Sequence, residues 1–276
     1  MIASTRNPLV KQLRQLGASS KERKQQQLFL IEGTHALTEA IATSYPLSIV
    51  CHTESWAVLN PQLYAQLQSQ AELQTDRQGL RLELVSEEVL AAIATTVNPD
   101  GAIAVAPIPV NATSSRIQTL GVVLETIQDP GNLGATIRSA VAVGIDGLLV
   151  SQDSVDLTHP KIIRATAGQW FRCPMQSVRD LPTEVQKLQA QGMKAIATLP
   201  NASTAYWDYD FTQPSLILLG NEGKGLSREL IDLADEAVTI PLNNHVESLN
   251  VAICGSLLLY EAYRQRRSQG IWGRQV

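Results

Sequence analysis

Apolar and polar positions follow one rhythm over the first hundred residues and another beyond them. Near the start a basic amphipathic stretch gives way to an apolar run at Leu28–Ile31, and helical spacing over Thr34–Thr43 precedes a strand pattern at Leu47–His52. Helical spacing returns over Ala57–Ser69. A strand is predicted at Leu80–Val85, a helix over Glu87–Ala94 opened by Ser86, and a short strand at Ala102–Ala106. These describe a small α/β unit over residues 1–106. The next stretch, PIPVNATSSR, carries two prolines among small polar residues and reads as an extended linker, placed at 107–118.

From Leu120 strand and helix patterns alternate. Strands are predicted at Gly121–Ile127, Gly147–Ser151, Cys173–Ser177, Lys194–Leu199, Ser215–Gly220 and Ala237–Pro241. Helices are predicted near Leu133–Val143, Pro160–Gly168, Thr183–Gln191, Ser227–Leu233 and Leu249–Arg266. Runs such as LILLG, apolar throughout, belong to a parallel sheet covered on both faces, so the fold class is α/β. This second domain is placed at 119–267, with a tail at 268–276. In the final helix, Val251, Cys254, Leu257, Leu258 and Leu259 leave no evident wet face, which predicts burial all round.

Ligands of parallel sheets sit in loops beyond the carboxyl ends of the strands. Three such loops are rich in Gly and Asn: QDPGNLGATIR, GNEGKGLS and PLNNHVESLN. None is a familiar nucleotide motif. In GNEGKGLS the lysine stands two places too early for a P-loop, and no G-x-G-x-x-G follows any strand. His35, His52, His159 and His245 lie far apart and the three cysteines lack C-x-x-C spacing, so no metal is expected. What remains at the loop tips is polar: Asn132 and Arg138, then Asn221, Glu222 and Lys224, then Asn244, Ser248 and Asn250. Each has an ordinary explanation as a helix cap or surface group. Together on one sheet edge they read as a site.

Composition changes the picture in one respect. The chain of 276 residues has a net charge of −4, yet residues 1–24 hold six bases against one acid. That is a net +5, which leaves −9 for the other 252 residues. Arg6, Lys11, Arg14, Lys21, Arg23 and Lys24 are therefore candidate phosphate contacts, and Arg264, Arg266, Arg267 and Arg274 add positive charge near the other end. Aromatic residues make up only 5%, too few for a platform on which single-stranded bases stack. The N-terminus has no apolar signal stretch and no run reaches membrane-spanning length, so no membrane is expected and the default location is the cytoplasm.

DPGNLGATIRSAVAVG (129–144), LILLGNEGKGLS (216–227) and IPLNNHVESLNVAICGSLLLYEA (240–262) resemble the three motifs of the SpoU branch of the SPOUT superfamily. Its members are RNA 2′-O-ribose methyltransferases that use S-adenosylmethionine. RATAG (164–168) resembles a weaker stretch between the first two motifs. STRNPLVKQLRQL and LFLIEGTHALTEA are similar to a small substrate-binding domain, akin to a ribosomal protein, that many members carry. The resemblance implies a trefoil knot in the C-terminal sheet, a homodimer through the last helix, and methylation of rRNA or tRNA. It implies that Leu219, Gly220, Asn221, Ile240, Leu242 and Leu249 hold the cofactor. It further implies that Arg138 acts on the hydroxyl while Asn132, Glu222, Ser248 and Asn250 frame the reaction. Asn244 stands where the family usually has glycine, and Asn is the other residue that tolerates a left-handed backbone. Two other readings stay open on the residues alone. A non-catalytic RNA-binding module of the same fold would not need Arg138, Ser248 and Asn250. A nucleotide-dependent metabolic enzyme would need a glycine fingerprint that is missing.

Overall fold

The computed structural model describes residues 1–73, 79–109, 117–243 and 245–270. Most of the predicted linker, Asn244 and the last six residues, Arg274 included, lie outside the described residues. The chain divides into two compact units, and the division is not a single cut. One unit comprises residues 1–110 together with Asp156–Arg172; the other comprises the remainder.

The first unit opens with α1 (Pro8–Ala18) and α2 (Ser20–Gln26), where Asn7 and Ser19 cap the two helices through their side chains. Then follow β1 (Leu28–Glu32), α3 (Thr34–Ala42), β2 (Ile49–His52), α4 (Glu54–Leu59), α5 (Pro61–Leu73), β3 (Arg81–Leu84), α6 (Glu87–Ile93) and β4 (Ala102–Pro107). The strand order is β1-β4-β2-β3, with only β2 and β3 parallel. The single helix expected over Ala57–Ser69 is two helices. Pro61 disfavours helical backbone at Asn60, which sits at φ −126° and ψ 53° and ends α4.

The segment Asp156–Arg172 is bound to this unit by charge and by aromatic packing. Arg23 pairs with Asp156 at 2.7 Å, Arg164 pairs with Glu32, and Arg172 pairs with Glu39 at 2.7 Å. Trp170 stacks at a tilt on Phe29, centroids 4.8 Å apart, and Phe171 meets Tyr45 edge-on at 5.2 Å. Burial opposes ionisation of Glu32, but the hydroxyls of Thr95 and Thr96 and the Arg164 guanidinium outweigh it and lower its pKa.

The second unit is built on a seven-stranded sheet: β5 (Leu120–Leu124), β6 (Gly147–Ser151), β7 (Met175–Val178), β8 (Lys194–Thr198), β9 (Thr204–Ala205), β10 (Ser215–Leu219) and β11 (Glu236–Thr239). The order is β7-β6-β5-β10-β8-β11-β9 and every pairing is parallel, so all the carboxyl ends open on one edge. All five residues of β5 and of β10 are buried, as strands covered on both faces require. Between the strands run α7 (Pro130–Val143), α8 (Pro160–Ala165, packed in the first unit), α9 (Leu181–Ala190) and α10 (Arg228–Leu233); α11 (Val251–Ser268) follows β11.

Helix α11 departs from expectation. Val251, Leu258 and Leu259 are buried, Cys254 and Leu257 are half-buried, and Ile253 and Tyr260 are 51% and 52% exposed. One face packs on α7, where Ser139 and Ser256 share a 2.7 Å hydrogen bond. The opposite face is open and apolar. Of the C-terminal bases, Arg266 is held inside: its guanidinium is buried and donates to the carbonyls of Phe211, Thr119 and Gln213.

Candidate active site

At the carboxyl ends of β8, β10 and β11 lies a cavity of about 530 Å³. Leu219, Gly220, Asn221, Ile240, Leu242 and Leu249, all six residues assigned to the cofactor, line it, as do Glu222 and Ser248. Loop 220–225 forms its lip and is closed on itself. Asn221 and Gly225 exchange backbone hydrogen bonds of 3.0 and 2.9 Å, and Asn221 Oδ1 accepts from the backbone N–H groups of Gly223 and Lys224. A Cβ on Gly220 would stand 2.1 Å from the Gly225 carbonyl carbon, so only glycine permits this turn.

A chain of side-chain hydrogen bonds ties the three loops together. Asn250 Nδ2 donates to Asn132 Oδ1 at 2.8 Å, and Asn132 Nδ2 donates to Glu222 Oε1 at 2.8 Å. Local structure sets both asparagines. Asp129 caps α7 by accepting from the Asn132 N–H, with Pro130 in the first turn, and Asn250 caps α11 by accepting from the Ala252 and Ile253 N–H groups. Both helices therefore begin at the site, and their caps belong to it.

Arg138 is not brought into this network. It is exposed on α7, is not among the residues lining the cavity, and makes no hydrogen bond or ion pair among the described residues. The basic set divides. Arg6, Lys11, Arg14, Lys21 and Lys24 are exposed. Arg23 is not a phosphate contact: it is 1% exposed and spends its donors on Asp156, Thr158 and the Leu16 carbonyl.

One feature of the cavity wall has no sequence signal. The hydroxyl of Thr198, at the end of β8, is buried without a hydrogen-bond partner among the described residues, and Thr198 lines the cavity. A buried hydroxyl left unpaired is costly, so Thr198 is a weak point in the packing beside the cavity. The volume suits a nucleoside-sized ligand. Apolar side chains from Leu199, Leu219, Leu242 and Val251, with backbone edges from the lip, suit an adenosyl group. Burial raises the Cys254 thiol pKa, so this thiol stays neutral in the lining.

Comparison with known proteins gives the same direction. Residues 119–260 match the SpoU rRNA methylase family, and residues 7–104 match the MRM3-like substrate binding domain. An uncharacterized tRNA/rRNA methyltransferase of Synechocystis sp. is 44% identical, over 96% of this chain and 94% of that protein. The 23S rRNA (guanosine(2553)-2′-O)-methyltransferase of Bacillus subtilis is 29% identical over 94% of this chain and 97% of its own length. Among solved structures, the SpoU methyltransferase AviRb of Streptomyces viridochromogenes in complex with AdoMet superposes with a TM-score of 0.83 at 29% identity. That likeness covers 98% of this chain and 100% of the AviRb chain.

Proposed function

The chain belongs to the SpoU rRNA methylase family, and from that membership we infer that it transfers a methyl group from S-adenosylmethionine to a ribose 2′-hydroxyl of RNA. The observation that carries the reading is the meeting of six cofactor residues in one cavity whose lip, through Glu222, joins Asn132 and Asn250. Bound there, the cofactor supplies an electrophilic methyl group on a sulfonium. The protein's part is alignment and handling of the hydroxyl's proton.

Leu219, Gly220, Asn221, Ile240, Leu242 and Leu249 hold the cofactor, and Asn132, Glu222, Ser248 and Asn250 frame the reacting groups. Arg138 binds the ribose hydroxyl and its phosphate. A guanidinium with a pKa above ~12 is no base, so its role is to position and to spread charge. Its freedom from any partner among the described residues fits a group held ready for RNA.

Residues 1–106 form the RNA substrate-binding domain, and their exposed bases Arg6, Lys11, Arg14, Lys21 and Lys24 supply its phosphate contacts. The substrate is rRNA or tRNA. The enzyme works as a cytoplasmic homodimer through the open face of α11, where Ile253, Leu257 and Tyr260 with Tyr206 line a groove of about 430 Å³. Among the described residues no helix is long and apolar enough to cross a membrane. The insertion of β10 between β5 and β8, with α11 laid against α7, fits a knotted C-terminal chain. Mass mapping of 2′-O-methyl sites in RNA from cells with and without the protein tests the activity. A site that disappears with the protein and returns with purified enzyme and cofactor is expected; identical maps would overturn the assignment.

A further inference from the structure

The same sheet edge carries a second cleft, at the carboxyl ends of β5, β6 and β7. Its volume is about 450 Å³, and Thr126, Gln152, Asp153, Arg179, Leu181 and Pro182 contribute to its lining. It is linked to the cofactor cavity through one hydrogen bond, between Thr126 of this cleft and Asn221 of that one. Thr126 stands at φ +55°, a left-handed backbone that a β-branched residue adopts only under constraint. All three of its polar groups hold it there. Its N–H donates to Ser151 Oγ at 2.7 Å, its hydroxyl donates to Asp153 Oδ2 at 2.8 Å, and its carbonyl accepts from Asn221 Nδ2 at 2.8 Å. Asn221 belongs to the lip of the cofactor cavity, so the strained residue of this cleft is hydrogen-bonded to that lip.

The chemistry of this cleft is mixed in an informative way. Arg179 is exposed and has no hydrogen-bond or ion-pair partner among the described residues. Asp153 is kept ionised by its hydrogen bond with Ser151, against a smaller opposing effect of burial and with help from Thr126. Glu125, also in the lining, is committed to the Ser227 N–H at 2.7 Å. Two carboxylates exclude a bare anion from the interior. They leave room for a neutral ring that offers N–H donors to Asp153 and packs a face on Leu181 and Pro182, while its phosphate meets Arg179 at the mouth. A nucleotide has these parts in this arrangement, and RNA bases with amino groups are read by carboxylates and amides.

We propose that this cleft binds a nucleotide of the RNA substrate neighbouring the one that is methylated, with Arg179 on its phosphodiester and Gln152 and Asp153 on its base edge. The proposal rests on the reading that RNA is methylated at the adjoining cavity. It gives a chain poor in aromatic residues a means of choosing its site, by hydrogen bonds to one extruded base.

The test uses the full-length enzyme and total RNA, rRNA and tRNA together, from cells lacking the protein, with methyl transfer followed from labelled cofactor. Arg179→Gln is expected to raise KM for the RNA by roughly tenfold and to lower the slope of log affinity against log salt by about one. The change in kcat should be much smaller, and cofactor affinity should stay as in wild type. Arg179→Lys should recover most of the loss, because a phosphodiester accepts a point charge. An unchanged KM and salt slope in Arg179→Gln overturns the cleft while leaving the methyltransferase reading intact. Failure of the wild type to methylate this RNA overturns both. Guanosine monophosphate without RNA is the second arm. Saturable binding that Arg179→Gln abolishes, with the RNA KM unaffected, would assign the cleft to a free nucleotide and overturn the proposal.

Discussion

Asn250 donates through Nδ2 to Asn132 Oδ1 at 2.8 Å, although 118 residues separate them in the chain. The direction of this bond is set by the cap. Asn250 Oδ1 is occupied by the first N–H groups of α11, so only its amide nitrogen faces Asn132. Asn132 must then present its oxygen to Asn250 and its nitrogen to Glu222. Asn132→Asp removes that donor and sets a second carboxylate against Glu222. Methyl transfer should fall by about 10²-fold or more, the scale of a misplaced reacting group. Calorimetry should show cofactor affinity nearly unchanged; normal turnover would remove the asparagine from the site.

Thr198 gives a prediction with two opposite signs. Its hydroxyl is buried and unpaired, so Thr198→Val keeps the shape and deletes an uncompensated polar group. The cofactor-free protein should become more stable, by about 1 kcal/mol, in a denaturant titration. If the bound cofactor satisfies that hydroxyl, its Kd should rise by roughly fivefold, the worth of one neutral hydrogen bond. Equal affinity in the two proteins would show that the hydroxyl faces no ligand atom.

Arg138 separates an enzyme from a binding module. Because it is exposed and has no partner among the described residues, Arg138→Ala should change stability by less than ~0.5 kcal/mol. Single-turnover methylation should be abolished with cofactor affinity retained. Arg138→Lys should fail as well, since an ammonium does not reproduce the planar fork that holds a hydroxyl and a phosphate together. Near-normal rates in Arg138→Ala would assign the chemistry elsewhere.

These sites were legible to different degrees, and the reason is range. Strand and helix patterns, the cap at Ser86 and the three loop motifs are local, and the sequence carries them to within a few residues, whereas Ser227 and Leu249, placed inside their helices by the spacing, lie before them. Pro61 was visible, yet the apolar spacing ran across it and hid the break between α4 and α5. Arg23 resembled its basic neighbours because the carboxylate that buries it lies 133 residues away. The stripe of α11 that the single chain leaves uncovered is concealed by the run Leu257–Leu259. Only contact with α7 shows that Ile253 and Tyr260 are on the far side. Thr198 belongs to no motif, and a missing partner has no sequence signature.

The proposed homodimer rests on the open stripe of α11. Ile253 and Tyr260 are each about half exposed and pack against nothing that their loss would collapse. Light scattering should give twice the 30.0 kDa chain mass. Ile253→Asp with Tyr260→Asp should halve that mass while circular dichroism keeps the helical signal. A wild-type monomer that still methylates RNA would exclude the dimer.

Arg23 and Lys21 stand two residues apart and should respond to substitution in opposite ways. Lys21 and Lys24 are exposed, so Lys21→Gln with Lys24→Gln should weaken RNA binding and flatten its salt dependence, leaving thermal stability within experimental spread. Arg23→Ala leaves the half-buried Asp156 without its cation, a change that costs about 2 kcal/mol and frees the segment Asp156–Arg172 from one of its three ion pairs. The same pair predicts a pH dependence. Burial pushes the Asp156 pKa up, but the N–H and hydroxyl of Thr158 and the Arg23 guanidinium outweigh it, so the folded value lies below the unfolded one. As pH falls, the unfolded chain takes up its proton first, near the ordinary value of about 4. The stabilisation is therefore complete above that pH and is lost as pH drops through the lower, folded value. Urea melts at pH 7, 5 and 3 should show wild type losing more stability than Arg23→Ala over the acid step. Parallel losses in the two proteins would show that Arg23 is not what holds Asp156 ionised.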